Sequence, residues 1–178
     1  MSSSTKQAIV EAFIKLASKK PLEKITVRNI VDTCGINRNT FYYHFQDIFA
    51  VLEEICHLAT AHIDRELPFD RMIKQFFLIL ADYAERHPKA VEHFIASVGQ
   101  LGAERYFAKS LDEIMLEVFA KHAPDASLSM RRTATVFLRH AVIGLYFDYV
   151  SYRGKINKEE LAARVGVLAN GILASLNA

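Results

Sequence analysis

The chain has 178 residues, of which 51% are hydrophobic and 24% charged, so its composition is that of a folded globular protein and excludes intrinsic disorder. Two cysteines cannot build a disulfide framework, which suits the reducing cytoplasm. Neither the start of the sequence nor its longest uncharged run, the 14 residues 165–178, predicts a signal peptide or a membrane span.

The net charge of +2 conceals an uneven distribution. Residues 1–48 hold seven basic and four acidic side chains, whereas residues 49–178 hold 15 basic and 16 acidic ones. A basic excess in the first quarter suits a module that binds phosphate. The alternative is an ordinary solvated surface, because small local excesses of charge are common.

Apolar residues recur every three or four positions in almost every segment, which predicts helices throughout. The predicted helices cover residues 4–20, 26–34, 37–45, 47–66, 68–87, 88–97, 103–122, 129–152 and 158–176. Gly99 and Gly102 are expected to break the chain between the sixth and seventh helices. The sequence therefore predicts an all-α protein of about nine helices, with a domain boundary near residue 48.

Residues 26–45 predict two short helices joined by a turn that starts at Gly35. Glycine suits the left-handed backbone of such a turn, and Ile36 is expected to hold the turn against the core. The inward-facing residues of the two helices are predicted to be Ile30, Val31, Cys34, Phe41 and Phe45. This is the helix-turn-helix arrangement.

The second helix of this pair has an unusual outer face. Its outward residues are predicted to be Arg38, Asn39, Thr40, Tyr42, Tyr43 and His44. Arginine can bond bidentately to guanine and asparagine to adenine, and hydroxyl groups can bond to phosphates. Thr26 and Arg28 begin the preceding helix, where the DNA backbone would pass. This pattern favours DNA binding, and the alternative is a helical hairpin whose aromatic rings pack on another domain.

Residues 25–52 resemble the DNA-binding signature of the TetR family of transcriptional regulators. The matching pieces are Ile25-Thr-Val-Arg28, Cys34-Gly-Ile36 and Thr40-Phe-Tyr-Tyr-His-Phe45. The resemblance implies a DNA-binding domain over residues 1–48 and a helical ligand-binding and dimerisation domain over residues 49–178. It also implies a repressor that binds palindromic operator DNA as a homodimer and responds to an effector.

The resemblance also assigns contacts to individual residues. It implies phosphate contacts from Thr26, Thr40, Tyr42 and His44. It implies base or near-base contacts from Arg28, Asn37, Arg38, Asn39 and Tyr43. Two positions depart from the family pattern, because Asn39 replaces a common glycine and Ile48 replaces a phosphate-binding lysine. The missing lysine predicts weaker or less salt-dependent binding.

The chain also resembles the TetR subgroup that includes dihydroxyacetone kinase regulators. This resemblance rests on the run from Gly35 to Asp47, on residues 152–155 and on residues 159–161. It implies that a protein partner, rather than a small molecule alone, could control the chain. The alternative function is therefore a co-regulator whose C-terminal domain binds a partner protein.

The last two helices carry apolar stripes that predict a four-helix dimer interface. The interface residues are expected to be Phe137, His140, Gly144, Leu161, Val165, Leu168 and Ile172. Ala162, Gly166 and Ala169 form a neighbouring small-residue face that would allow a close approach of helices. The alternative is that both stripes are buried within one protomer.

An effector pocket is the least specific prediction. The residues proposed to line it are His57, Phe76, Tyr83, Phe94, Tyr106 and Tyr146, and each has an alternative role in the core or at its edge. The sequence has no phosphate-binding glycine loop, no nucleophile elbow and no metal-ligand spacing. We therefore expect no catalytic residue, metal or cofactor, and a helical enzyme or ligand carrier is the least favoured class.

Overall fold

The structure, a computed structural model, describes residues 2–152 and 154–177. Within these ranges the chain forms α1 (Ser2–Ala17), a 3-10 helix (Leu22–Lys24), α2 (Val27–Cys34), α3 (Arg38–His44), α4 (Ile48–Ala61), α5 (Phe69–Arg86), α6 (Pro88–His122), α7 (Leu128–Ser151) and α8 (Lys158–Ser175). No strand occurs in these two ranges, so the predicted all-α class is confirmed. None of the described helices has both the length and the apolar character needed to cross a bilayer. Arg153, in the 152–155 motif, lies outside the described residues.

The chain forms two compact units, each assembled from two separate segments. The first unit comprises Met1–Leu58 and Ala84–Tyr106, and the second comprises Ala59–Tyr83 and Phe107–Ala178. The first half of α6 is therefore part of the unit that contains the helix-turn-helix. The predicted division at residue 48 stays a prediction.

The core of the first unit is built from the inward faces of α1 to α4. Its fully buried side chains include Ile9, Phe13, Ile30, Phe41 and Val51. Burial of each such side chain stabilises the fold by about 1.5–3 kcal/mol, because apolar surface leaves water. This core fixes the angle between α2 and α3.

Two hydrogen bonds attach the first half of α6 to the end of α1 and to the 3-10 helix that follows it. Nδ1 of His93 lies 2.7 Å from the carbonyl oxygen of Ala17, and the backbone N–H of Leu22 donates to Oγ of Ser97 at 3.3 Å. Ala90 is buried in the same core as α1 to α4. These contacts satisfy backbone groups at the turn that leads into the helix-turn-helix.

The second unit packs α5, the second half of α6, α7 and α8 around aromatic rings. Phe77 meets Tyr149 edge-on with a centroid separation of 6.1 Å, a geometry that aromatic pairs prefer. An ion pair between Arg139 Nε and Asp112 Oδ1, 2.8 Å apart, joins α6 to α7.

Two predicted helix boundaries are wrong. α4 ends at Ala61 rather than near residue 66. The predicted break at Gly99 is present, because this residue has φ 67° and ψ 176° inside α6, a backbone conformation that favours glycine. Gly102, in contrast, lies within the helix. The range Pro88–His122 therefore consists of two helical segments that meet at a kink at Gly99, as the predicted helices 88–97 and 103–122 require, but the second segment includes Gly102 rather than starting after it.

Candidate nucleic-acid interface

The start of α2 is fixed by a reciprocal capping arrangement. Oγ1 of Thr26 accepts a hydrogen bond from the backbone N–H of Asn29 at 3.2 Å, and the backbone N–H of Thr26 donates to Oδ1 of Asn29 at 3.1 Å. Each bond satisfies a donor that a helix start would otherwise leave unpaired. The hydroxyl of Thr26 accepts one hydrogen bond in this arrangement, so its own proton can donate to a phosphate.

The turn between α2 and α3 depends on Gly35, which adopts φ 70° and ψ 29°. The backbone N–H groups of Gly35 and Ile36 both donate to the carbonyl oxygen of Val31. Left-handed backbone of this kind ends a helix sharply and carries little steric cost only for glycine. Ile36 is half-buried against the core of the first unit, as predicted.

Asn37 begins α3 as a helix cap. Its Oδ1 accepts from the backbone N–H of Thr40 at 2.8 Å and from the hydroxyl of Thr40 at 3.1 Å. These two hydrogen bonds occupy the side-chain oxygen of Asn37. The side-chain NH₂ group of Asn37 is then the donor available to DNA. The Thr40 proton points at Asn37, so a phosphate contact from Thr40 requires the hydroxyl to rotate.

The two faces of α3 differ as the sequence predicts. Phe41 is fully buried and Phe45 is 5% exposed, whereas Tyr42 is 56% and Tyr43 is 79% exposed. Of the remaining predicted contacts, Arg38 and Asn39 are exposed, and Thr40 and His44 are half-buried. The helix therefore presents guanidinium, carboxamide and phenol groups on one accessible surface.

Ring contacts support the tyrosines of this surface. The Tyr42 ring stands edge-on to buried Phe41 at 5.5 Å between centroids, and the Tyr43 ring stands edge-on to His44 at 5.0 Å. Pairs of this geometry contribute about 0.5–1.5 kcal/mol beyond the area that they bury. The exposed aromatic groups are thereby partly ordered before any ligand arrives.

Arg28 is accessible from the same end of α2. Its side chain is 76% exposed, and its Nε lies 3.6 Å from Oδ2 of Asp32 one turn later. An exposed ion pair of this length contributes about 0–1 kcal/mol. A phosphate or a base edge can therefore compete with Asp32 for the guanidinium.

The start of α4 carries no cation. Oδ1 of Asp47 accepts from the backbone N–H groups of Phe49 and Ala50 at 2.8 and 2.9 Å, and Ile48 is half-buried against the core. Phe49 is 48% exposed, a feature that the sequence analysis missed. Phe49 lies three residues before Leu52, within the apolar period of α4, so helical spacing gave no signal of its exposure.

The described residues contain no group of three or more His, Cys, Asp or Glu side chains that could hold a metal ion. Burial, with a smaller contribution from the charge of Glu53, raises the pKa of the Cys56 thiol to about 12. Burial also raises the pKa of Cys34, whose Sγ lies 3.1 Å from the carbonyl oxygen of Ile30. Both thiols are therefore poor nucleophiles.

The residues predicted to line an effector pocket are divided between the two units. In the first unit, His57 is exposed, and the Phe94 and Tyr106 rings meet edge-on at 5.8 Å. In the second, Tyr83 is half-buried, and Phe76 and Tyr146 are 1% and 6% exposed. Phe76 is thus a core residue that packs against Phe107 at 6.5 Å between centroids. The pocket stays a prediction.

The predicted dimer stripe is exposed in part. Phe137 and Leu168 are 60% and 67% exposed, and an open groove of about 640 Å³ follows α7. The groove is lined by Arg132, Thr133, Val136, Phe137, His140 and Ala141. Three further members of the stripe, Gly144, Leu161 and Ile172, are half-buried.

One part of the dimer prediction is wrong. Val165 is 3% exposed in the single protomer, and Ala162 and Ala169 are fully buried there. A Cβ built on Gly166 would lie 2.3 Å from the carbonyl oxygen of Asp70, so the small-residue face of α8 allows α5 of the same chain to approach closely. Small residues at helical spacing indicate a close contact but not which helix makes it.

Comparison with known proteins identifies the family to which the chain belongs. The sequence model described as "Bacterial regulatory proteins, tetR family" matches residues 9–55, and the one described as "Transcriptional regulator C-terminal region" matches residues 72–171. The chain belongs to the TetR family of bacterial regulatory proteins. This family consists of DNA-binding transcription factors that typically dimerise, which confirms the predicted regulator over the enzyme alternative.

Solved structures of regulators share the TetR-family fold. The repressor AlkX from Dietzia sp. is 12% identical with a TM-score of 0.65, covering 95% of this chain and 97% of its own. A TetR regulator from Streptococcus agalactiae is 22% identical with a TM-score of 0.60, covering 94% of each chain. The dihydroxyacetone kinase operon activator DhaS is 20% identical with a TM-score of 0.63, covering 97% and 96%. A comparison with curated proteins finds no match.

Proposed function

We propose that this TetR-family protein is a cytoplasmic repressor that binds a palindromic operator as a homodimer and is modulated by an effector in its C-terminal domain. The observation that carries the proposal is the outer face of α3, where Arg38, Asn39, Tyr42 and Tyr43 are exposed beside a buried Phe41. Exposed helix faces usually carry lysine, glutamate and alanine, so this composition is unusual for a surface that meets only solvent. Against a duplex, each of its groups has a partner.

The size of α3 suits the major groove. An α-helix with its side chains is about 10–12 Å in diameter, and the major groove, about 12 Å wide, admits one such helix. Arg38 and Asn39 lie in the first turn, the part of a recognition helix that reaches base edges. Tyr42 and Thr26 supply hydroxyl groups for phosphates on either side.

The exposed stripe supports dimerisation. Phe137 on α7 and Leu168 on α8 are large apolar side chains that a second copy would remove from water. Operators with two half-sites require two reading helices related by a twofold axis. We propose that α7 and α8 form the four-helix interface through these exposed residues rather than through the small-residue face.

The test is operator binding by fluorescence anisotropy, with DNA from the upstream region of the protein's own gene. Arg38→Ala removes the proposed base contact from both half-sites, so we expect affinity to fall at least about 30-fold, given about 1 kcal/mol or more per contact. Tyr42→Phe removes one hydroxyl and keeps the ring contact with Phe41. Arg71→Ala, which removes an exposed arginine from α5, is the matched control. Unchanged affinity in Arg38→Ala and Tyr42→Phe would refute the proposed interface.

A second candidate is a co-regulator whose C-terminal domain binds a partner protein. The sequence resemblance to the subgroup that includes dihydroxyacetone kinase regulators favours this candidate, and the fold likeness to DhaS, described as an operon activator, adds activation as a second sign of regulation. Deletion of the gene separates the two signs of regulation, because transcription of the target rises for a repressor and falls for an activator. Affinity purification from the native host separates the two kinds of effector: a stoichiometric protein supports the co-regulator, and a bound metabolite supports the first candidate.

A further inference from the structure

Lys20 makes a hydrogen bond that joins the segment after α1 to the first turn of α2. Its Nζ donates to Oδ1 of Asn29 at 2.6 Å, although the two residues are nine positions apart. The same oxygen accepts the backbone N–H of Thr26 at 3.1 Å. The ammonium group of Lys20, which follows the end of α1, is therefore joined through one carboxamide to Thr26, the N-cap of α2.

The shared oxygen fixes the orientation of the Asn29 side chain. A carboxamide has one acceptor oxygen and one NH₂ donor group, so two donors directed at the same atom permit only one of its two orientations. Capping boxes usually use Glu or Gln, whose longer side chains reach back to the cap residue. Asn29 is shorter, and the charged donor of Lys20 holds it in the position that caps Thr26.

The position of Thr26 follows from this network. The backbone N–H of Asn29 donates to Oγ1 of Thr26 at 3.2 Å, which leaves the Thr26 hydroxyl proton free to donate to another acceptor. Thr26 itself is exposed. Lys20 is half-buried and is engaged with Asn29, so it acts through the network and not as an exposed cation.

We propose that Lys20 is a positioning residue for operator binding: it holds the Asn29 carboxamide, and thereby the Thr26 hydroxyl, in the geometry that contacts a phosphate. This inference rests on the proposed function, because it needs Thr26 to face DNA. Nothing in the sequence pattern separates Lys20 from the neighbouring Lys19. The hydrogen bond to Asn29 is what distinguishes the two lysines.

The experiment compares Lys20→Met with Lys19→Met in the full-length protein. Both variants lose one charge at adjacent positions, but Lys19 is exposed and lies outside the network. We expect the backbone amides of Thr26 and Asn29 to exchange with solvent on the order of fivefold faster in Lys20→Met, because their hydrogen bonds weaken. In Lys19→Met these two amides exchange at the wild-type rate. The measurement is hydrogen exchange followed by NMR without DNA.

Operator affinity gives the second readout. With roughly a threefold loss per half-site, the dimer of Lys20→Met binds about tenfold more weakly than that of Lys19→Met. The melting temperature of Lys20→Met falls below that of Lys19→Met by no more than the few degrees that a weakened cap costs, and Lys20→Arg, which keeps a donor, restores affinity. The dependence of log K on log salt stays parallel to that of Lys19→Met. A direct phosphate contact from Lys20 in each half-site would instead reduce the slope by roughly two.

Each outcome decides between the alternatives. Faster amide exchange, weaker affinity and parallel salt slopes support the positioning role. Equal exchange rates in the two variants overturn it, and a slope reduced by roughly two replaces it with a direct contact. Failure of the wild type to bind any upstream DNA refutes the proposed function, whereas wild-type binding with an unaffected Lys20→Met refutes only the inference about Lys20.

Discussion

Gly166→Ala tests the packing of α8 within one protomer. A Cβ at this position would lie 2.3 Å from the carbonyl oxygen of Asp70 and 3.1 Å from its carbonyl carbon. Both are backbone atoms, so no side-chain rotation relieves the clash. Alanine gains about 0.5–1 kcal/mol over glycine in a helix, and overpacking costs about 1–3 kcal/mol. Because the Cβ would meet backbone atoms of Asp70, which cannot rotate away, the upper end of that cost applies. We expect the free energy of unfolding to fall by about 2 kcal/mol.

Gly171→Ala is the matched control in the same helix. No atom lies within 4 Å of a Cβ built at Gly171, so only the gain in helix propensity remains, about 0.5–1 kcal/mol. Urea unfolding followed by far-ultraviolet circular dichroism measures both variants. Gly166→Ala should unfold at lower urea and Gly171→Ala at slightly higher urea than the wild type. Equal stability of the two variants would refute the proposed contact with α5, as would a loss of dimers in Gly166→Ala without a loss of stability.

Three further predictions concern the interface, the cap and a buried thiol. Phe137→Glu should sediment as a monomer and lose operator affinity. The control Leu58→Glu, which changes another exposed apolar residue, should sediment like the wild type. Dimers of Phe137→Glu would contradict the proposed interface stripe. Thr26→Ala should lower the free energy of unfolding by about 1 kcal/mol through the lost cap, measured by thermal melting. Because burial and Glu53 raise the pKa of Cys56 from 9.0 to about 12, the unfolded state binds fewer protons than the folded state between these values. The free energy of unfolding should therefore fall from pH 9.0 towards 12, by up to about 1.4 kcal/mol per pH unit. Urea titrations of Cys56→Ala should show no such contribution to the pH dependence of its stability.

The helix-turn-helix could be predicted because its determinants are local. Thr26, Gly35 and Asn37 each act on the backbone within four residues, as caps or as a left-handed turn. The inward position of Phe41 follows from helical spacing alone. Local chemistry of this kind is readable in a single sequence, and the structure reproduces it residue by residue.

Contacts between distant segments could not be predicted in the same way. The small residues of α8 signalled a close approach, but the partner, the backbone of Asp70, depends on how the helices assemble. The bond from Lys20 to Asn29 likewise depends on the path of the 3-10 helix between them. Spacing between Thr26 and Asn29 was a visible signal for the capping box, since it matches the usual pattern except for the shorter Asn29.

The central claim, that α3 lies in the major groove of an operator, is tested most directly by methylation protection. Dimethyl sulfate modifies N7 of guanine in the major groove, the atom that Arg38 would contact. We expect bound protein to protect guanines in two clusters whose centres lie about one helical turn apart or a multiple of it, and Arg38→Ala to lose this protection. Protection confined to minor-groove adenines, or guanines that stay reactive at saturating protein, would contradict the claim.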